Sequence, residues 1–392
     1  MIRLNTPSLM QDNAPFAAGP LFKATFVDRP NRFLVRCESP TLGTIEAFLP
    51  NPGRMWELLL PGATLYVGRA GATGGPRKTA YTAMAVERDG RPVLLDTHAT
   101  NHVARRLIER GSIPFLRGAE VLRSEVTVGR SRFDFLLRKG RREILLEVKS
   151  CTLFGNGVAM FPDAVTERGR RHLLELGELA EHGTRAAVLF VVHTPTTRWF
   201  MPDYHTDPAF SQALLQVRRR VRILPVAIAW RPDLTLAPGA RMLEIPWTHV
   251  RTEAQDRGSY LLLLRLDRTR TVRVGGLGDL TFRRGYYVYV GSAMNGLSAR
   301  IARHLRRRKK LRWHADYLRA HADEAIALPI RSSRRLECAM AGALEGIMPP
   351  GPSGFGSSDC RCATHLFLSE TNPLERPDFH NVLQQFRMRR PS

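Results

Sequence analysis

Ser131-Arg132-Phe133-Asp134-Phe135-Leu136-Leu137 and Glu143-Ile144-Leu145-Leu146-Glu147-Val148-Lys149, joined by a basic turn over Arg138–Arg142, read as the two strands of one hairpin. With the turn centred near Gly140, Asp134 lies across from Glu147, since each is about the same number of residues from the turn. Strand alternation then puts Lys149 on the face of Glu147 and turns Val148 into the core. Two carboxylates and one lysine converge at a single spot. Such a set suits metal-assisted phosphodiester hydrolysis: hard oxygen ligands hold Mg²⁺, and the lysine positions or polarises the attacking water. The bland reading of Glu-x-Lys alone is an amphipathic hairpin whose charges face solvent.

The surrounding pattern extends this hairpin into an α/β domain. Strands are expected at Glu120–Val128 and Arg185–Val192, and helices from near Thr100 and over Ala164–Glu181. Upstream, Leu21–Asp96 alternates short apolar runs with turn signals at Pro52-Gly53 and Gly71–Pro76, which predicts a small β-barrel or sandwich. Downstream of Pro246, the polar stretch Arg251–Gly258 reads as a linker or domain edge, and a second α/β unit follows. The expected boundaries are 18–96 for the barrel, 97–245 for the α/β domain, 256–370 for the third domain and 371–392 for an irregular tail. The polar junction also predicts that the C-terminal half folds by itself.

Charge points to the partner. The 392 residues carry 59 Lys+Arg against 36 Asp+Glu, a net +23, and a surplus of that size concentrates polyanions around the protein. From Asp256 onward 24 basic residues stand against 12 acidic ones, so both halves are basic. An arginine-rich proteome is the plain alternative. Five cysteines at uneven spacing do not resemble the paired framework of a secreted scaffold, and Met1–Pro20 lacks a basic segment followed by an apolar run. The longest apolar runs fall far short of the roughly 20 residues a membrane helix needs. These features predict a cytoplasmic protein with no membrane partner.

The second half carries its own constellation. Gly258-Ser259-Tyr260 opens one strand, and Tyr286-Tyr287-Val288-Tyr289-Val290-Gly291 forms another. A following helix places Arg300, Arg303, His304 and Arg307 at i, i+3, i+4 and i+7, on one face that a phosphate backbone could meet. Tyrosines in strands are otherwise packing residues. Cys338, Cys360, Cys362 and His365 could in principle bind zinc, but Cys-x-Cys is tighter than the usual Cys-x-x-Cys, so a structural Zn²⁺ is not expected.

Asn31-Arg32-Phe33, Leu49-Pro50-Asn51-Pro52-Gly53-Arg54-Met55, Gly129–Phe135, Glu147-Val148-Lys149-Ser150 and Phe161–Gly169 resemble the sugar fermentation stimulation protein family. The resemblance covers about Phe22–Trp230 and implies an OB-like barrel followed by a PD-(D/E)xK-type nuclease domain, with Asp134, Glu147 and Lys149 as its triad. Phe48 stands where the family usually has histidine. Tyr286–Ala293, Arg300–His304, Trp313–Leu318 and Gly354–Phe367 are similar to a small family of GIY-YIG nucleases. That resemblance implies Tyr260 and Tyr289 as paired tyrosines, Arg300 as phosphate clamp, His304 beside it, and Glu337 as metal-binding carboxylate. The asparagine usual after that glutamate has no counterpart near Pro349-Pro350.

The expected architecture is therefore multidomain: a small OB-like β-barrel, an α/β PD-(D/E)xK nuclease-like domain and an α+β GIY-YIG-like domain. The expected function is a DNA-binding, metal-dependent endonuclease or repair factor with two centres, each taking one Mg²⁺ or Mn²⁺ through Asp134 and Glu147 or through Glu337. Arg54, Arg132, Arg168, His172, Arg303 and Arg307 are the candidate phosphate contacts. The alternatives are a DNA-binding regulator of sugar metabolism genes whose nuclease sites are vestigial, and an enzyme that cuts RNA with the same parts.

Overall fold

Six strands begin the chain: β1 (Leu21–Asn31), β2 (Leu34–Ser39), β3 (Gly43–Phe48), β4 (Thr64–Arg69), β5 (Tyr81–Arg88) and β6 (Arg91–Leu94). They pair in the order β3-β2-β1-β4-β5-β6, and a parallel contact between β3 and β5 closes the first five into an OB-like barrel. Alternation drives the closure: in β2, Val35, Cys37 and Ser39 are buried while Arg36 and Glu38 face out. The computed structural model describes residues 16, 19–69 and 79–391. The Gly71–Pro76 turn signal and most of the first twenty residues lie outside the described residues.

A larger sheet follows. Its parts are α1 (Ala99–Glu109), β7 (Glu120–Val128), β8 (Ser131–Lys139), β9 (Arg142–Cys151), β10 (Leu153–Gly155), β11 (Val158–Phe161), α2 (Glu167–Glu181), β12 (Arg185–Val192), β13 (Trp199–Pro202), α3 (Pro208–Val217), β14 (Arg222–Ala227) and β15 (Arg241–Met242). Six of these strands pair in the order β15-β14-β12-β9-β8-β7, with β12 parallel to both β9 and β14. Being central and covered, β12 is buried from Ala186 to Val192, as its unbroken apolar run requires. Val103, Leu107 and Ile108 of α1 share a core with Leu146, Val148, Leu189 and Val226. Each fully buried leucine or phenylalanine there contributes about 2 kcal/mol against the chain entropy lost on folding.

The β8–β9 hairpin has the expected register, with Phe135 opposite Leu146, so Asp134 and Glu147 stand one step further on. Its strands run longer than expected. β8 continues to Lys139 and β9 starts at Arg142, leaving a two-residue turn in which Gly140 holds a φ of +59°.

The remaining elements are α4 (Trp247–Glu253), β16 (Gly258–Leu266), β17 (Arg270–Arg273), β18 (Asp279–Phe282), β19 (Gly285–Ala293), α5 (Leu297–Leu305), α6 (His314–His321), β20 (Glu324–Arg331), α7 (Glu337–Glu345), β21 (Leu366–Ser369) and α8 (Pro377–Arg387). The sheet order is β20-β16-β19-β21, all antiparallel. Gly258 is required where β16 meets β20: its φ is +141°, and a Cβ would sit 2.2 Å from the Ile330 carbonyl oxygen.

Compactness divides the chain into two units, and the division departs from the sequence reading. One unit comprises Met1–Phe154, Glu167–Phe200 and Gln216–Glu244; the other comprises Gly155–Thr166, Met201–Leu215 and Ile245–Ser392. The second unit thus recruits two stretches from far upstream. His205 shows why. Its buried ring accepts from the Arg331 N–H at Nδ1 and lies against the Arg387 carbonyl at Nε2, each at 2.9 Å, and the Arg331 guanidinium donates to the His205 carbonyl at 2.6 Å. Arg251–Gly258 is not simply a linker, because α4 runs through Glu253, whose buried carboxylate accepts from the Ser333 hydroxyl and N–H. Nor is 371–392 an irregular tail. α8 buries Phe379, Val382, Leu383 and Phe386 at helical spacing, a pattern hidden by the polar residues between them. Among the described residues no helix is long and apolar enough to cross a membrane.

Candidate functional site

Asp134 on β8 and Glu147 and Lys149 on β9 do come together. Asp134 Oδ2 accepts from the Val148 N–H at 2.7 Å, while Oδ1 accepts from the side-chain amide of Asn101 on α1 at 2.8 Å. Glu147 is 2% exposed, and its Oε1 takes the Lys149 ammonium and His172 Nδ1, the latter at 2.6 Å. Its other oxygen, Oε2, is buried without a hydrogen-bond partner among the described residues. One oxygen of the carboxylate is held by the protein and the other is left unused.

The two acids titrate apart. Burial and the charge of Glu147 push the Asp134 carboxyl up, against the bonds from Val148 and Asn101. Burial also acts to raise Glu147, but His172 and Lys149 outweigh it and hold this carboxyl below its ordinary value. The donor set fits a hard divalent cation: two neighbouring carboxylates, one with an unused buried oxygen, and a lysine beside them.

His172 is thus displaced from the role its helical spacing implied. It is 2% exposed and faces Glu147, so it cannot share a solvent face with Arg168, which remains exposed. Arg132 is exposed and pairs with Glu125 at 3.6 Å, and Arg54 stacks on Trp56 at 4.8 Å. The Asn51–Arg54 loop is tied down by Arg29, whose guanidinium donates to the Gly53 and Arg54 carbonyls at 2.8 Å each. Asn101 falls on the helix expected from near Thr100, and nothing in its spacing points to Asp134.

The C-terminal cleft has a volume of about 640 Å³ and gathers Tyr260, Tyr289, Arg300, Trp313 and Glu337. Adjacent antiparallel strands bring the tyrosines within 6.4 Å between ring centres. Gly291 leaves room for the Tyr260 ring, because a Cβ there would sit 2.3 Å from its hydroxyl oxygen. Tyr260 Oη lies 2.9 Å from His304 Nε2, and His304 Nδ1 lies 3.1 Å from Asp316 Oδ1. Nδ1 has no hydrogen-bond partner among the described residues, but the nearby carboxylate favours a proton there, which assigns Nε2 as acceptor from the tyrosine. Burial pushes both phenols up, and pushes His304 down against the pull of Asp316.

The helix face Arg300, Arg303, His304 and Arg307 does not present four groups to solvent. His304 is fully buried, and Arg303 is clamped by Asp316 at 3.0 and 2.9 Å. Arg307 is exposed, and Arg300 stacks on Trp313 at 4.2 Å while lining the cleft. Asp316 is the main omission of the sequence reading. It lies within Trp313–Leu318, but only the fold shows that it ties α6 to α5 through Arg303 and His304, and to the segment after α5 through Lys309.

Glu337, at the start of α7, accepts from the Ser292 hydroxyl and lies 3.4 Å from His365 Nδ1. His365 Nε2 in turn lies 3.4 Å from Cys360 Sγ. The ligand atoms of Cys338, Cys360, Cys362 and His365 all lie within 4.8 Å of one another, close enough for one metal ion. Cys338 arrives from another element, so the tight Cys-x-Cys does not have to supply the whole geometry.

Comparison with known proteins gives three family matches. Residues 27–95 match the SfsA N-terminal OB domain, 98–233 the sugar fermentation stimulation protein RE domain, and 259–388 the domain of unknown function DUF123. A sugar fermentation stimulation protein homolog of Methanothermobacter thermautotrophicus is 38% identical over 208 residues, 53% of this chain and 85% of that protein. One from Chloroflexus aurantiacus is 43% identical over 206 residues, 52% of this chain and 78% of that protein. The solved structure of Pyrococcus furiosus SfsA in complex with Ca²⁺ superposes with a TM-score of 0.54 at 30% identity, covering 58% of this chain and 97% of that one.

Proposed function

Because the chain belongs to the sugar fermentation stimulation protein family, with a DUF123 domain behind the shared part, we propose that it is a DNA-binding, metal-dependent nuclease with two hydrolytic centres. The observation that carries this reading is the unused, buried Glu147 Oε2 beside Asp134. A buried carboxylate oxygen without a partner is costly unless a ligand completes it. That Pyrococcus furiosus SfsA was solved with Ca²⁺ supports a divalent cation in the same fold. Mg²⁺ or Mn²⁺ held there would neutralise charge on the scissile phosphate and favour attack by water. Lys149, whose side chain bonds Glu147 Oε1, is placed to stabilise the growing negative charge on the phosphorus oxygens. Asn101 and the Val148 N–H fix the rotamer of Asp134, and His172 fixes that of Glu147.

In the C-terminal cleft the residues suggest a proton path. A water there can give a proton to Tyr260 Oη as the tyrosine passes its own to His304 Nε2, and Asp316 stabilises the imidazolium that forms. Arg300, with no carboxylate paired to it among the described residues, is placed to clamp the phosphate. Glu337 is the carboxylate available to a cation. Exposed Arg306, Arg307, Arg308 and Lys310 supply charge for the nucleic-acid backbone.

The test is cleavage of single-stranded, duplex and branched DNA, and of RNA, with Mg²⁺ or Mn²⁺. Glu147→Gln should remove the part due to the first centre, and adding Arg300→Ala should remove the rest. Full activity in the double variant rejects both centres. DNA binding without any cleavage by the unaltered chain leaves a binding regulator.

A further inference from the structure

Chemistry at Cys338, Cys360, Cys362 and His365 is not accounted for by phosphodiester hydrolysis. Cys338 sits in the first turn of α7, directly after Glu337. The other three lie on the irregular segment before β21, where His365 is buried and Cys360 and Cys362 are half-buried. Four potential ligand atoms from two separate parts of the chain fall within 4.8 Å of one another. A tetrahedral zinc with Zn–S near 2.3 Å needs its ligand atoms roughly 3.8 Å apart, so the cluster would contract by at most about 1 Å. Three thiolates and one imidazole are the donor set zinc prefers, whereas Mg²⁺ and Ca²⁺ prefer oxygen.

The histidine is oriented for the task. Its Nε2 faces Cys360 Sγ at 3.4 Å, and its Nδ1, which has no hydrogen-bond partner among the described residues, lies 3.4 Å from Glu337 Oε1, the nearest carboxylate that could accept from it. A metal-ligating imidazole characteristically gives its second N–H to a carboxylate, which fixes both the tautomer and the ring. We propose that Cys338, Cys360, Cys362 and His365 bind one zinc ion, and that this zinc, through His365, positions Glu337 at the rim of the C-terminal cleft. The segment between α7 and β21 has no strand or helix to hold it, and a metal staple ties it to α7. The positioning part rests on Glu337 serving the second centre; the zinc part does not.

The experiment measures metal in the full-length chain purified under reducing conditions. Elemental analysis should find one zinc per chain, and Co²⁺ exchanged into the site should give the thiolate charge-transfer absorption of a tetrahedral sulfur-rich centre. Cys360→Ser and Cys362→Ser should each abolish that band, whereas Cys37→Ser, far from the cluster in sequence, should leave it. Glu337→Gln should keep the zinc but release it to a chelator more readily, with affinity about 10–100-fold lower. An unaltered chain with no zinc and no cobalt band overturns the proposal, as does zinc that survives both cysteine variants. Zinc lost from the cysteine variants with Glu337→Gln behaving as wild type leaves the metal site standing and removes the link to Glu337. Loss of DNA cleavage plays no part in these readouts, so the site can stand if the nuclease reading fails.

Discussion

His172 Nδ1 lies 2.6 Å from Glu147 Oε1, a buried contact between α2 and β9 that leaves the other glutamate oxygen without a hydrogen-bond partner among the described residues. The histidine touches no substrate in this arrangement. It orients a carboxylate, and so acts as a positioning residue.

His172→Ala should therefore lower affinity for Mn²⁺ about 10–100-fold, the usual effect of removing such an orienting partner. Asn places an amide where Nδ1 stands, so His172→Asn should recover part of the loss. Calorimetric titration with Mn²⁺ reads both; equal affinities across the three proteins would sink the positioning role.

Binding to DNA should be electrostatic. With about six phosphates contacted, affinity should drop roughly a thousandfold between 50 and 200 mM salt. Fluorescence anisotropy with a labelled duplex measures the slope, and a flat response would reject the basic surface as the interface.

Arg300 stacks on Trp313 and opens onto the cleft, so its guanidinium is held without being neutralised. Its clamp matters most when charge builds on the phosphorus oxygens, and Arg300→Ala should lower kcat about a hundredfold with a smaller change in KM. An effect confined to KM would mean uniform binding rather than transition-state stabilisation.

The family and the three-domain architecture were legible because long motifs occur in order, and the hairpin register because its apolar alternation permits only one pairing. Helix-face arguments were less informative. The i, i+3, i+4 pattern puts Arg303 and His304 on one phosphate-facing side of the helix, yet Asp316, on a different helix, pairs with both and leaves His304 buried. His172 failed in the same way: period alone does not distinguish a solvated face from one covered by a charged centre. The tight Cys-x-Cys spacing argues against zinc, and spacing along the chain does not show that Cys338, on α7, brings its sulfur to within 4.8 Å of the other three ligand atoms.

Asp316 gives a pH signature. Burial acts to raise this carboxyl, but His304, Arg303 and the N–H groups of Arg312 and Trp313 together hold it far below the ordinary range. A depressed folded-state pKa contributes stability that is present above the unfolded value, about 3.9, and is lost as pH falls below it. Asp316→Asn should destabilise the chain at neutral pH by about 3 kcal/mol, since Arg303 and Lys309 lose their counter-charge. The gap to wild type should narrow below about pH 4. Urea unfolding at several pH values checks the sign, and a gap that widens toward acid would refute it.

A fragment that begins at Arg257 should fold poorly despite holding the whole DUF123 match. The compact unit it belongs to includes Gly155–Thr166 and Met201–Leu215, both missing from such a fragment. Without His205, the Arg331 N–H loses its acceptor and the Arg331 guanidinium loses the carbonyl it contacts at 2.6 Å. Each orphaned buried group costs about 1–3 kcal/mol, and the charged one more. Loss of α4 adds Glu253, whose carboxylate otherwise holds the Ser333 hydroxyl and N–H. A few kilocalories per mole is a large share of the 5–15 kcal/mol that typically keeps a domain folded. The fragment should therefore unfold at markedly lower urea than the same residues in the full chain, as followed by tryptophan fluorescence of Trp313. Equal midpoints would show that the upstream stretches decorate the C-terminal unit rather than complete it.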